Sequence, residues 1–131
     1  MGTTITSSGF TINTTNVTSL NHCYIARYSH TIEFSISLKL KVALADTSLE
    51  LGTLNFSTIG ISRFFASPYI VGNCDGGNGF SNAYITNTTG VLTHLDCVTK
   101  AANGSLAAEN NLMYHFCVNI PDSYMLDSAC D

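Results

Sequence analysis

With 131 residues, 45% of them hydrophobic, the chain is long enough for one domain with its own core. Only 11% of the residues are charged, against about a quarter in an ordinary globular protein. A net charge of −4 with five Lys and Arg argues against nucleic acid, and no apolar run approaches the roughly 18 residues of a membrane span, so neither is expected as a partner.

Ser, Thr and Asn fill the polar positions instead, giving a neutral, hydrogen-bonding surface suited to subunit contacts and carbohydrate. The opening Met-Gly-Thr-Thr-Ile-Thr lacks the basic and apolar regions of a signal peptide. Its Gly2 and Thr6 fit a myristoylation pattern that a Thr-rich chain generates by composition. Cys23, Cys74, Cys97, Cys117 and Cys130 are odd in number and lack framework spacing, so reduced thiols are expected.

Residues 10–12 alternate and read as a first edge strand; 20–29 read as a second. The clearest element is His30 to Leu44. Ile32, Phe34, Ile36, Leu38, Leu40, Val42 and Leu44 alternate there with polar residues, and only Ala43 blurs the pattern. Successive side chains of a strand point to opposite faces, so this period of two lays seven apolar groups on one side of a long, bent or bulged strand. Ala45 to Ser48 is a turn, and Leu49 to Leu54 returns as a strand. Asn55 to Ser62, with Gly60, is an irregular crossing.

Phe64 to Val71 is apolar on both faces, Phe64, Ala66 and Ile70 against Phe65, Tyr69 and Val71, with Pro68 marking an edge or bulge. It is expected to be a strand whose outer face a second subunit covers. Gly72 to Gly79 carries four glycines and reads as a loop. Residues 80–86 and 91–95 flank Asn87-Thr88-Thr89-Gly90 as a hairpin. Thr99 to Asn111 is a loop with one helical turn at 106–109, and Leu112 to Ile120 is the last core strand, stopped by Pro121 ahead of a polar tail. Eight or nine short strands without a real helix predict an all-β, antiparallel β-sandwich or jelly roll.

The order of elements resembles the C-terminal head domains, the receptor-binding tips, of bacteriophage and prophage tail fibres. The Leu51-Gly52-Thr53-Leu54 segment, the two-faced aromatic strand, the Gly-rich loop and the Ile85-to-Val91 hairpin turn carry the resemblance, which covers about residues 24–120. The proline-containing crossing usual in that family is missing from 55–64, where only Gly60 and Arg63 echo it. The resemblance implies a homotrimeric jelly-roll-like head at 21–131 behind a stem or shoulder segment at 1–20. It also implies a place on the virion, with assembly in the bacterial cytoplasm, and binding of a host cell-surface polysaccharide without cleavage. The other functions to weigh are a purely structural virion module and a bacterial lectin-like adhesin.

No nucleophile–base motif, metalloprotease helix or phosphate loop occurs, so the chain is not expected to be an enzyme or to hold a cofactor. His115 and Cys117 share a strand face, and His94 and Cys97 would need a bend to meet. Both pairs are read as core thiols and hydrogen-bonded imidazoles, and no metal is expected. Sugar binding calls for aromatic platforms beside Asp and Asn side chains. The candidates are Tyr69, Asn73, Asp75, Asn78, Phe80, Tyr84, His94 and Asp96.

Overall fold

The fold is taken from a computed structural model, which describes residues 3–6, 8–75, 79–99 and 104–126, with backbone alone at 3–6. Nine strands run β1 Thr3–Thr6, β2 Phe10–Ile12, β3 Val17–Tyr28, β4 Thr31–Leu40, β5 Leu49–Leu54, β6 Tyr69–Cys74, β7 Gly79–Ile85, β8 Val91–Thr99 and β9 Asn111–Asn119. Every pairing is antiparallel, and the strands form one sheet in the order β1-β3-β4-β9-β6-β7-β8-β5-β2.

That order forces the sheet to curl. Laid flat, eight strand spacings would separate its two outermost strands by about 38 Å. The chain from Thr6 to Phe10 joins those same two strands and can reach at most about 14 Å. The sheet therefore rolls into a nearly closed barrel whose seam is spanned by its own N-terminal residues. Asn16 fastens the seam: its carbonyl accepts from Lys41 N–H at 2.8 Å, and its side-chain amide donates to the Glu50 carbonyl at 2.8 Å.

The core fills the inside of the roll. Ile32, Phe34, Ile36, Leu38 and Leu40 from β4 are all buried, as the alternation requires. Phe34 stacks on Phe116 at 4.6 Å between centroids and meets Phe64 edge-on at 6.1 Å. The regular strand ends at Leu40, where the chain turns outward; Leu44 returns inside by pairing with Leu106. A 3-10 turn at Phe56–Ile59 closes one end and leaves through Gly60 in a left-handed conformation (φ 82°). Arg27 crosses that end. It is 1% exposed and donates from Nη1 to the Gly60 carbonyl at 2.9 Å, while its Nε and Nη2 have no partner among the described residues.

Several expectations are corrected. Phe64 to Val71 is not one strand: Phe64 is fully buried, Phe65 is 69% exposed, and regular pairing starts only after Pro68, which lacks the N–H a ladder needs. Of the five described residues of the Gly-rich stretch, four are strand. Gly72, Asn73 and Cys74 belong to β6 and Gly79 to β7, because the Tyr114 ring lies over Gly72 where a Cβ would come within 2.7 Å of ring carbons. The expected helical turn at 106–109 is absent: Leu106 pairs with Leu44 and Glu109 takes φ 70°. The boundary expected after residue 20 falls inside β3, and β1 and β2 are strands of the same sheet. Beyond Pro121 a further 3-10 turn, Asp122–Tyr124, leads to Met125, which bridges to Ile61; the tail from 127 on lies outside the described residues. Among the described residues no helix is long and apolar enough to cross a membrane.

Candidate functional site

The outward face of β6, β7 and β8 gathers most of the candidate residues. Strand pairing sets their rows: Tyr69 opposite Tyr84, Val71 opposite Asn82, Asn73 opposite Phe80, then Phe80 opposite Val98 and Asn82 opposite Asp96. Alternation sends Ile70, Gly72, Cys74, Ser81, Ala83 and Ile85 inward and leaves the first set outside. Asp96 accepts from the Asn82 amide at 2.7 Å, and Asp75, just past β6, accepts from the Asn111 amide at 2.6 Å. Asn78 lies outside the described residues.

His94 does not join them. It is 0% exposed. Along a regular strand residues 94 and 96 would share a face, but β7 and β8 slip register there: Ala83 pairs with His94 and Asn82 with Asp96, leaving Leu95 as the extra residue. The bulge turns His94 in and Asp96 out.

Inside, His94 completes a buried chain. Its Nε2 lies 2.7 Å from the Ala45 carbonyl, which can only accept, so that nitrogen carries the hydrogen. Ser81 Oγ lies 2.6 Å from His94 Nδ1 and 2.6 Å from the Tyr114 hydroxyl. A neutral imidazole satisfies every group: Tyr114 donates to Ser81, Ser81 donates to His94, and His94 donates to Ala45. Burial pushes the Tyr114 phenol far above its ordinary pKa, against a smaller opposing pull from Ser81. This Ser–His pair is closed to substrate and is a structural network.

The outer face holds the opening. Tyr69, 77% exposed, stacks on Tyr84 with centroids 5.6 Å apart and planes 22° from parallel. Beyond Tyr84, β5 and the turn after β7 enclose a shallow cavity of about 350 Å³ lined by Ser48, Leu49, Glu50, Tyr84, Thr86, Thr89, Val91 and Thr93. Glu50 and Thr93 are cross-strand partners, which places the carboxylate beside Tyr84's own partner on β8. The Thr86 hydroxyl is committed to its turn, accepting from Val91 N–H at 2.8 Å and bonding to Thr89.

Glu50 is uncommitted. Glu33 bonds to His115, Asp46 to the Cys97 N–H, Asp75 to Asn111, Asp96 to Asn82, Glu109 to Lys39 and Asp122 to His30. Glu50 alone among the acids of the described residues has neither a side-chain hydrogen bond nor an ion pair. Glu50 is exposed on β5, and the pairing of β5 with β8 sets Thr93 beside it, a neighbour that local sequence does not announce.

A second apolar group lies on the same outer face, towards the other end of β7. Val71, Phe80, Val98 and Met113 are each exposed by about half, with Asn73 and Asn82 between them. Further along β9 from Met113, His115 and Cys117 are both exposed; His115 Nε2 lies 3.0 Å from Glu33, and Cys117 is the strand partner of Glu33. Cys97 hydrogen-bonds to the Leu44 and Gly104 carbonyls, and burial raises its thiol pKa. Cys23 and Cys74 are raised for the same reason. Among the described residues no group of three or more His, Cys, Asp and Glu is arranged to hold a metal ion, and the four cysteines there are free thiols.

No protein-family model matches the chain, and no curated protein and no solved structure shows significant similarity to it.

Proposed function

We propose that this chain is the receptor-binding tip of a phage-type fibre, a jelly-roll-like head that assembles as a homotrimer and binds a host cell-surface glycan without cleaving it. The observation that carries the reading is the exposed Tyr69–Tyr84 stack beside a cavity of hydroxyls and one free carboxylate. Aromatic faces pack against the C–H face of a sugar ring, and carboxylate and hydroxyl oxygens take its hydroxyl protons. The cavity falls within the size range of small-ligand sites, roughly 300–1,000 Å³.

Binding without cleavage is supported by the acids present. Glycoside hydrolysis ordinarily uses two carboxyl groups flanking the bond, and Glu50 is the only acid lining the cavity. Low overall charge and the neutral Ser, Thr and Asn surface suit the same role. The homotrimer is supported by Val71, Phe80, Val98 and Met113, which form an exposed apolar group that a neighbouring copy would cover.

That apolar group also favours a second reading, a structural virion module whose outer face only makes subunit contacts. The third possibility, a lectin-like adhesin, would use the same tyrosine surface outside a fibre. A glycan array of bacterial surface polysaccharides, probed with the wild-type chain and with Tyr84→Ala, tests the proposal. It expects binding by the wild type that Tyr84→Ala weakens about tenfold. Silence across diverse polysaccharides would favour the structural module. Light-scattering mass tests the trimer, and a stable monomer would count against both fibre readings.

A further inference from the structure

We infer that the cavity beside the tyrosine stack takes an uncharged sugar through two adjacent hydroxyls on Glu50 and turns acidic sugars away. This rests on the glycan-binding reading and narrows it to a substrate class.

Glu50 is the cavity's only ionisable acid, and no Lys, Arg or His lines it. A carboxylate is an acceptor with two oxygens, and neighbouring hydroxyls on a sugar ring are donors spaced to meet both. Bonds from hydroxyl to carboxylate are shorter and stronger than those between neutral groups. Because every other acid of the described residues already has a partner, Glu50 is the carboxylate left free to receive them.

The surroundings fix the orientation. Tyr84 is both a wall of the cavity and half of the stacked pair, so a ring packed on the tyrosines presents its edge towards Glu50 and Thr93. Thr93, nearly buried between them on the sheet, has a hydroxyl with no side-chain partner among the described residues and supplies one further polar contact. Thr86 and Thr89 are held by their turn and serve as wall.

Charge then decides the class. A uronic or sialic acid carboxylate placed on this surface would face Glu50 with no cation lining the cavity to offset the repulsion. The same arrangement accepts neutral hexoses that carry a pair of adjacent hydroxyls.

The test titrates the purified full chain with a neutral glucan, a neutral galactan, polygalacturonate and polysialic acid, read by saturation-transfer NMR and surface plasmon resonance. At least one neutral polymer is expected to bind, and the two acidic ones are not. Glu50→Gln and Glu50→Ala should each weaken neutral binding at least tenfold, and Glu50→Gln should admit an acidic polymer. Glu50 is exposed, and unchanged thermal melting confirms that these variants fold. Neutral binding that Tyr84→Ala abolishes but both Glu50 variants leave within twofold would overturn the inference and spare the tyrosine surface. Wild-type binding of the acidic polymers, equal to or above that of the neutral ones, would do the same. No binding of any polymer would overturn the inference together with the reading it rests on.

Discussion

Ser81→Ala should be one of the most damaging small substitutions in the protein. Its hydroxyl stands between two buried groups, 2.6 Å from the Tyr114 hydroxyl and 2.6 Å from His94 Nδ1. Tyr114 is 1% exposed and His94 0%, so water cannot replace what is removed. Each buried polar group left without a partner costs about 1–3 kcal/mol, so two together cost about 2–6 kcal/mol. That is a large part of a typical stability of about 5–15 kcal/mol. Tyr114→Phe removes a donor but leaves Ser81 donating to His94, so it should cost only about 1 kcal/mol.

The two changes should not add. In Ser81→Ala the Tyr114 hydroxyl is orphaned, and taking it away relieves the strain. The double variant should therefore be about 1–3 kcal/mol more stable than Ser81→Ala alone. Urea unfolding with an unchanged slope measures all three. The reasoning fails if Ser81→Ala lies within about 0.5 kcal/mol of wild type, or if Tyr114→Phe adds its full cost on top of it.

Gly72→Ala should destabilise by about 1–3 kcal/mol, because the new methyl meets a Tyr114 ring whose hydroxyl is already held; an unchanged urea midpoint would contradict this. Arg27→Met should raise stability by about 1–3 kcal/mol, since it removes two unpartnered buried nitrogens while the Gly60 carbonyl keeps the Leu126 N–H. A loss of stability there would show that the guanidinium is satisfied in solution. Tyr114 has a folded-state pKa above its ordinary value near 10, so its contribution is fully present below pH 10 and lost as pH rises beyond it. Unfolding free energy should fall above about pH 10, with Tyr114's share of the slope about 1.4 kcal/mol per pH unit, and Tyr114→Phe should remove that share.

What the sequence disclosed follows the range of the interaction. Side-chain parity places Ile32 to Leu40 correctly, but β4 ends at Leu40 with Val42 only half-buried, and in β5 a register shift between Glu50 and Gly52 leaves Leu51 and Gly52 both buried. β6 was obscured because Gly72 reads locally as a loop residue, whereas its reason for being glycine is Tyr114, on a distant strand. His94 and Asp96 are both named as candidates, and a single bulged residue at Leu95 sends them to opposite faces, which no local pattern announces. Tyr69 and Tyr84 were legible as aromatic candidates, but their stacking depends on the register of β6 against β7. Glu50 was not among the candidates: its place in a cavity required β8 to pair alongside, some forty residues later in the chain.

The most direct test of the account is an amide NMR titration of the chain with the bacterial surface polysaccharide that it binds on an array. The account predicts shifts concentrated at Tyr69, Tyr84, Glu50 and Thr93, abolished in Tyr84→Ala. Shifts confined to β1–β3, or identical shifts in Tyr84→Ala, would contradict it.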